Sequence, residues 1–100
     1  MEFEGIYTPL IAPFHENYNL NQEAMAKTID MLIDCGIHGI VIAGTTGEYY
    51  AMTMKERFKL MAMAKEMING RVPTIVGTGA IRTEDSIEYA KQAKKTGADA

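Results

Sequence analysis

The stretch Gly39-Ile40-Val41-Ile42-Ala43-Gly44-Thr45-Thr46-Gly47-Glu48 decides how the chain is read. Ile40 to Ala43 is continuously apolar and mostly β-branched, the pattern of a short strand covered on both faces. The polar Gly44–Glu48 segment follows at once, placing two hydroxyls and a run of backbone N–H groups at the strand's carboxyl end. Thr53-Met54-Lys55-Glu56 then has capping-box spacing and opens a helix. In parallel α/β folds ligands bind beyond the carboxyl ends of strands, so the loop lies where chemistry is expected.

Working outward, the same unit recurs. Ile6 to Ala12 reads as a first strand, shortened or bulged at Pro9, which has no N–H for a ladder. Pro13 to Asn19 is turn-rich. Asn21 caps a helix from Gln22 to Cys35, with Met25, Ile29, Leu32 and Ile33 on one face and Gly36 closing it. A second helix spans Met54 to Asn69, its inner stripe read as Phe58, Met61, Ala62 and Ile68, flanked by Leu60, Ala64 and Met67. Gly70 ends it. A third strand, Thr74 to Thr78, leads into Gly77-Thr78-Gly79-Ala80. Thr83 is expected to cap a third helix to Thr96, with Ile87, Ala90 and Ala93 inward, Glu88, Lys91 and Gln92 outward, and Gly97 closing it. Ala98-Asp99-Ala100 starts a further element.

Helix, glycine, strand, polar loop and helix start therefore repeat after Gly36, after Gly70 and, cut short, after Gly97. That is the βα unit of a parallel sheet with right-handed crossovers. Three strands cannot close a barrel and leave two unpaired edges. The fold expected is α/β: the first three βα units of a (β/α)₈ barrel of roughly 250 residues in its usual form, truncated here. Residues 1–100 would form the N-terminal part of that single domain, ending at the start of the fourth strand. A finished three-strand domain is the alternative.

Composition excludes several classes. With 47% hydrophobic and 23% charged residues, the chain is ordinary for a globular protein rather than a disordered one. A net charge of −3, with basic residues spread along helices, gives no footprint for nucleic acid. No apolar run reaches the ~20 residues that span a bilayer. The acidic Met1-Glu2-Phe3-Glu4-Gly5 start lacks a signal peptide's basic and apolar regions. Cys35 is the only cysteine, so no internal disulfide forms, and a reducing, cytoplasmic compartment is expected.

Chemically, Gly44, Thr45, Thr46, Gly47 and Glu48 offer neutral donors suited to a small anion such as a carboxylate. The Gly-Lys-Ser/Thr ending of a phosphate-binding loop is missing. The same threonines equally suit a plain strand-to-helix turn. His15 and His38 are too scattered for a metal site. Cys35 reads as a small core residue, and the eight methionines as adaptable core filler. Tyr49 and Tyr50 fit either a site mouth or simple packing. Lys27, Lys55, Lys59, Lys65, Lys91, Lys94 and Lys95 all fall on predicted helices as solvated faces, without the burial or neighbouring cation that activates an amine.

Taken in order, GTTGE (Gly44–Glu48), Ala51–Arg57, GRVPTIVGTGA (Gly70–Ala80), Pro13-Phe14 and Lys94–Asp99 resemble the dihydrodipicolinate synthase / N-acetylneuraminate lyase family, from Gly5 to Ala100. The resemblance implies a (β/α)₈-barrel enzyme, commonly a homotetramer, that binds pyruvate as a Schiff base on a lysine and condenses it with an aldehyde, without cofactor or metal. It assigns Thr45 to a tyrosine-centred proton relay, and Thr46 to holding the pyruvate carboxylate through hydroxyl and N–H beside Gly47. Gly44 shapes the loop and Glu48 braces it. The family's lysine and main relay tyrosine lie on later strands, so this chain alone is expected to be inactive. Departures are Ala12, where the family usually has Thr, and Tyr49, Tyr50, Met54, Arg57 and Ile81. In lysine-inhibited members small, polar or His residues stand at several of these positions, so lysine feedback of that type is not expected. The departures raise the claim of a sugar-acid aldolase or lyase against 4-hydroxy-tetrahydrodipicolinate synthase. A non-catalytic half-barrel that associates with another chain is the rival from a different class.

Overall fold

A computed structural model describes residues 2–100; Met1, which begins the acidic N-terminal stretch, lies outside them. The elements in order are β1 (Tyr7–Pro9), α1 (Gln22–Asp34), β2 (Gly39–Ile42), a 3₁₀ turn (Tyr49–Ala51), α2 (Met54–Ile68), β3 (Thr74–Val76) and α3 (Thr83–Thr96). The strands form one parallel sheet in the order β1-β2-β3. These are three consecutive βα units of the (β/α)₈ type. Among the described residues the sheet consists of these three strands; beyond it, Ala100 N–H donates to the Thr74 carbonyl at 3.2 Å, and Val76 N–H donates to the Ala100 carbonyl at 2.8 Å. One residue bonded to both neighbours of its partner, here Ile75, is the slanted parallel ladder.

Register explains which face is covered. Thr8, Ile40 and Thr74 are aligned across the sheet, as are Pro9, Val41 and Ile75. Because side chains alternate, the first row, with Ile42 and Val76, points at the helices; Ile40, Ile42 and Thr74 are fully buried. Val41 and Ile75 point the other way and are half-buried, with Pro9 exposed beside them. The expected cover on both faces is thus present on one only, since the three helices all lie on one side. β1 is shorter than the Ile6–Ala12 reading, ending at Pro9 on the sheet edge, though Leu10 N–H still reaches Val41 O at 2.8 Å.

Helix ends follow local chemistry. Asn21 Oδ1 accepts from Ala24 N–H at 3.0 Å. Thr53 and Glu56 form a reciprocal capping box at 3.1 and 3.0 Å. Gly36 and Gly97 both sit at φ +88°, the left-handed turn that ends α1 and α3. Thr83, however, is the first residue of α3 rather than its cap; Arg82 holds the cap position without a side-chain bond, and Glu84 and Asp85 face the helix's positive end.

Two inward faces differ from expectation. α2 buries Arg57, Leu60, Met61, Met63, Ala64 and Ile68, while Ala62 is exposed. As the middle helix it packs against the sheet, α1 and α3, so its buried arc is wide. On α3 the buried residues are Tyr89 and Ala93; Ile87 and Ala90 face out. The Tyr89 ring meets Phe58 edge-on at 5.8 Å, which fixes the helix's rotation. Cys35, read as a core residue, is exposed beyond the last turn of α1. Lys65 is not on a solvated face: its Nζ donates to Thr74 Oγ1 at 3.1 Å and lies 3.7 Å from Asp99. Among the described residues no helix is long and apolar enough to cross a membrane.

Candidate functional site

The carboxyl ends of all three strands meet backbone to backbone, and this contact shapes the Gly44–Glu48 loop. Ala43 leaves β2 with φ +57°, a left-handed conformation uncommon for a non-glycine residue. Gly77 N–H donates to Ile42 O at 2.7 Å. A Cβ on Gly77 would lie 2.2 Å from the Ala43 carbonyl oxygen, so only glycine admits this approach. Gly47 is buried under β1, where a Cβ would stand 2.7 Å from the Leu10 carbonyl oxygen. Glu48 N–H closes a turn onto Thr45 O at 3.0 Å, and Ala51 N–H donates to Glu48 O at 2.9 Å.

The turn places Thr45 and Thr46 exposed at the carboxyl end of the sheet, while Gly44 is half-buried. Neither threonine's hydroxyl nor its N–H is engaged by another described residue. Two hydroxyls and two N–H groups thus stand free on a turn whose ends are fixed, an arrangement able to take a carboxylate. Glu48 is exposed and left-handed at φ +58°; its backbone, rather than its carboxylate, ties the turn.

Beside this rim, not at the threonines, lies a cleft of about 320 Å³ between Tyr49–Met52 and Gly79–Ile81, with Arg57, Asp85 and Tyr89 in its walls. Of the five atypical positions near the loop, Tyr49, Tyr50, Arg57 and Ile81 meet here, whereas Met54 does not line it. Arg57 is only 2% exposed. Its Nη1 and Nη2 donate to the carbonyls of Gly79 at 2.7 Å and Gly77 at 2.9 Å. Its guanidinium sits 3.5 Å from the Tyr89 ring centroid and 4.9 Å from that of Tyr49. Nε is buried without a partner.

Arg57 stands out in the sequence as an atypical position, but the apolar stripe read for α2 does not include it among the buried residues. The signal was there: Arg57, Leu60, Met61, Ala64 and Ile68 fall on one helical face at three- and four-residue spacings, and that face runs back through a cation. Its partners, Tyr89 and two loop carbonyls, are distant in sequence. His38 is structural, its Nδ1 accepting from Ile6 N–H at 2.9 Å. Among the described residues no three His, Cys, Asp or Glu side chains cluster as metal ligands.

Residues 2–100 match the sequence model of the Dihydrodipicolinate synthetase family. The chain belongs to this family. It is 41% identical over 99 residues to the 4-hydroxy-tetrahydrodipicolinate synthase of Oceanobacillus iheyensis, covering 99% of this chain and 34% of that protein. In structure it is similar to YagE, a prophage protein of the dihydrodipicolinic acid synthase family from E. coli K12 solved in complex with pyruvate. The TM-score is 0.95 and the identity 32%, over 97% of this chain and 33% of YagE. It is similar as well to CdNal from Clostridium difficile in complex with mannosamine, with a TM-score of 0.96 and 27% identity, over 100% of this chain and 35% of CdNal. The chain thus spans about a third of the length of its family relatives.

Proposed function

We propose that this chain supplies the keto-acid-binding rim of a pyruvate-dependent Schiff-base lyase or aldolase, most like 4-hydroxy-tetrahydrodipicolinate synthase. The observation that carries the reading is the pair of exposed, unengaged threonines on a turn pinned at the carboxyl end of a parallel strand. In this reading the Thr46 hydroxyl and N–H donate to the pyruvate carboxylate, orienting the ketone toward a lysine on a later strand. Lysine and ketone condense to an imine with loss of water. A methyl proton leaves to give the enamine, whose carbon adds to an aldehyde. Thr45 passes protons through its hydroxyl without ionising, towards a tyrosine on a later strand. Gly44 and Gly47 set the backbone, and the bound carboxylate keeps clear of the Glu48 carboxylate, which the turn directs to solvent. No cofactor or metal is called for. The whole protein works as a homo-oligomer in the cytoplasm, where an exposed free thiol such as Cys35 stays reduced.

The second reading, a sugar-acid aldolase or lyase, draws support from the likeness to CdNal bound to mannosamine. Both readings share pyruvate and differ in the aldehyde. Incubating the full-length protein with pyruvate and borohydride tests what they share: one reduced pyruvate unit on one lysine is expected. Absence of the adduct overturns both and favours a non-catalytic half-barrel. Product formation with aspartate semialdehyde against sugar aldehydes separates the two enzymes.

A further inference from the structure

We infer that Arg57 is a positioning residue for the Thr45–Glu48 turn, holding both of its ends without touching substrate. A cation buried to 2% exposure with one nitrogen unpartnered and, among the described residues, no carboxylate within ion-pair distance is costly to place. An apolar side chain of similar volume would pack there at lower cost, so packing alone does not account for it. What the guanidinium does uniquely is donate to two carbonyls at once from a rigid plane that also stacks on rings.

The two carbonyls belong to Gly77 and Gly79, at 2.9 and 2.7 Å. Gly77 in turn donates its N–H to Ile42 O and comes so close to the Ala43 carbonyl, immediately before the turn, that no Cβ fits between them. On the far side, Tyr49 follows Glu48 directly and rests its ring on the same guanidinium, 4.9 Å from its centroid. Arg57 therefore clamps the loop after β3 against the start of the turn and Tyr49 against its finish. The stack on Tyr89 at 3.5 Å anchors the clamp to α3. Lysine, a point donor without a planar face, reproduces neither the paired bonds nor the stack.

This inference rests on the keto-acid reading of Thr46, and its test separates the two. In the full-length protein, Arg57→Met is expected to raise the pyruvate concentration for half-maximal borohydride trapping about tenfold or more, in line with the sensitivity of bound geometry to ångström displacements. The fraction of lysine trapped at saturation is expected to stay unchanged. Arg57→Lys should recover less than half of that shift on a logarithmic scale. Amide exchange at Glu48 and Ala51, the two hydrogen-bonded amides of the turn, should accelerate in both variants. A folded Arg57→Met protein with wild-type half-saturation and wild-type exchange overturns the inference. If that variant fails to fold, Tyr89→Leu, which removes the stack and leaves both carbonyl bonds, should shift half-saturation in the same direction; an unchanged value overturns it. If the wild-type protein traps no pyruvate, the keto-acid reading fails by itself. Exchange at Glu48 and Ala51 then decides the clamp: acceleration supports it, and no change refutes it.

Discussion

Gly47→Ala is the sharpest perturbation of the loop, because its consequence is set by one contact. The added methyl would stand 2.7 Å from the Leu10 carbonyl oxygen and 3.4 Å from that of Gly44. A carbon approaches a carbonyl oxygen comfortably at about 3.3–3.6 Å, so the turn must retreat by roughly 0.6–0.9 Å from β1. Both neighbours are backbone, so no side-chain rotation relieves the clash. Overpacking of this kind costs about 1–3 kcal/mol, and melting temperature should fall by several degrees. The functional effect should be larger. Misplacement near 1 Å costs on the order of 100-fold in productive geometry, and Thr46 is the residue next to Gly47. The assay is the initial rate of borohydride trapping at sub-saturating pyruvate on the full-length protein, with melting followed in parallel. A drop of roughly 10- to 100-fold is expected on that basis. An unchanged rate in a folded variant refutes the claim that this turn holds the keto acid.

Gly36→Ala is the matched control: its new methyl meets nothing within 4 Å but must adopt φ +88°. It should cost about 1–2 kcal/mol in melting and leave the trapping rate at wild type. Asp99→Ala removes the acceptor of the Thr74 N–H at 2.8 Å, with Thr74 fully buried. It should destabilise by about 1–3 kcal/mol without changing pyruvate half-saturation, since it acts at the amino ends of the strands. Free lysine at low millimolar concentration should not inhibit the proposed lyase activity of the full-length protein. Arg57 already occupies the Gly77 and Gly79 carbonyls and brings a positive charge to the neighbouring cleft. Clear inhibition in a steady-state assay contradicts that prediction.

Much of the architecture was legible because it is written in local signals. Asn21, the Thr53–Glu56 box, Gly36 and Gly97 act within a few residues of themselves, and they set helix ends where the chain alone can be read. The repeat of these signals specified parallel βα units. What escaped depends on contacts between elements. The rotation of α3 follows from Tyr89 meeting Phe58 and Arg57, so the Ile87 and Ala90 stripe, apolar by composition, faces outward. Burial of Arg57 escaped for the same reason: two carbonyls and two aromatic faces compensate its charge, and all but Tyr49 lie at least 20 residues away along the chain. The left-handed Ala43 likewise answers to the approach of Gly77 from the next strand. At the loop, the sequence made Thr45 and Thr46 conspicuous, but their freedom from internal partners is visible only in three dimensions.

The most direct measurement is a crystal structure of the full-length protein after borohydride reduction with pyruvate. The trapped carboxylate is expected within hydrogen-bonding distance of the Thr46 hydroxyl and N–H, with the Thr45 hydroxyl facing the reduced carbon's side of the site. A carboxylate held elsewhere, with both threonines still open to solvent, would contradict that expectation.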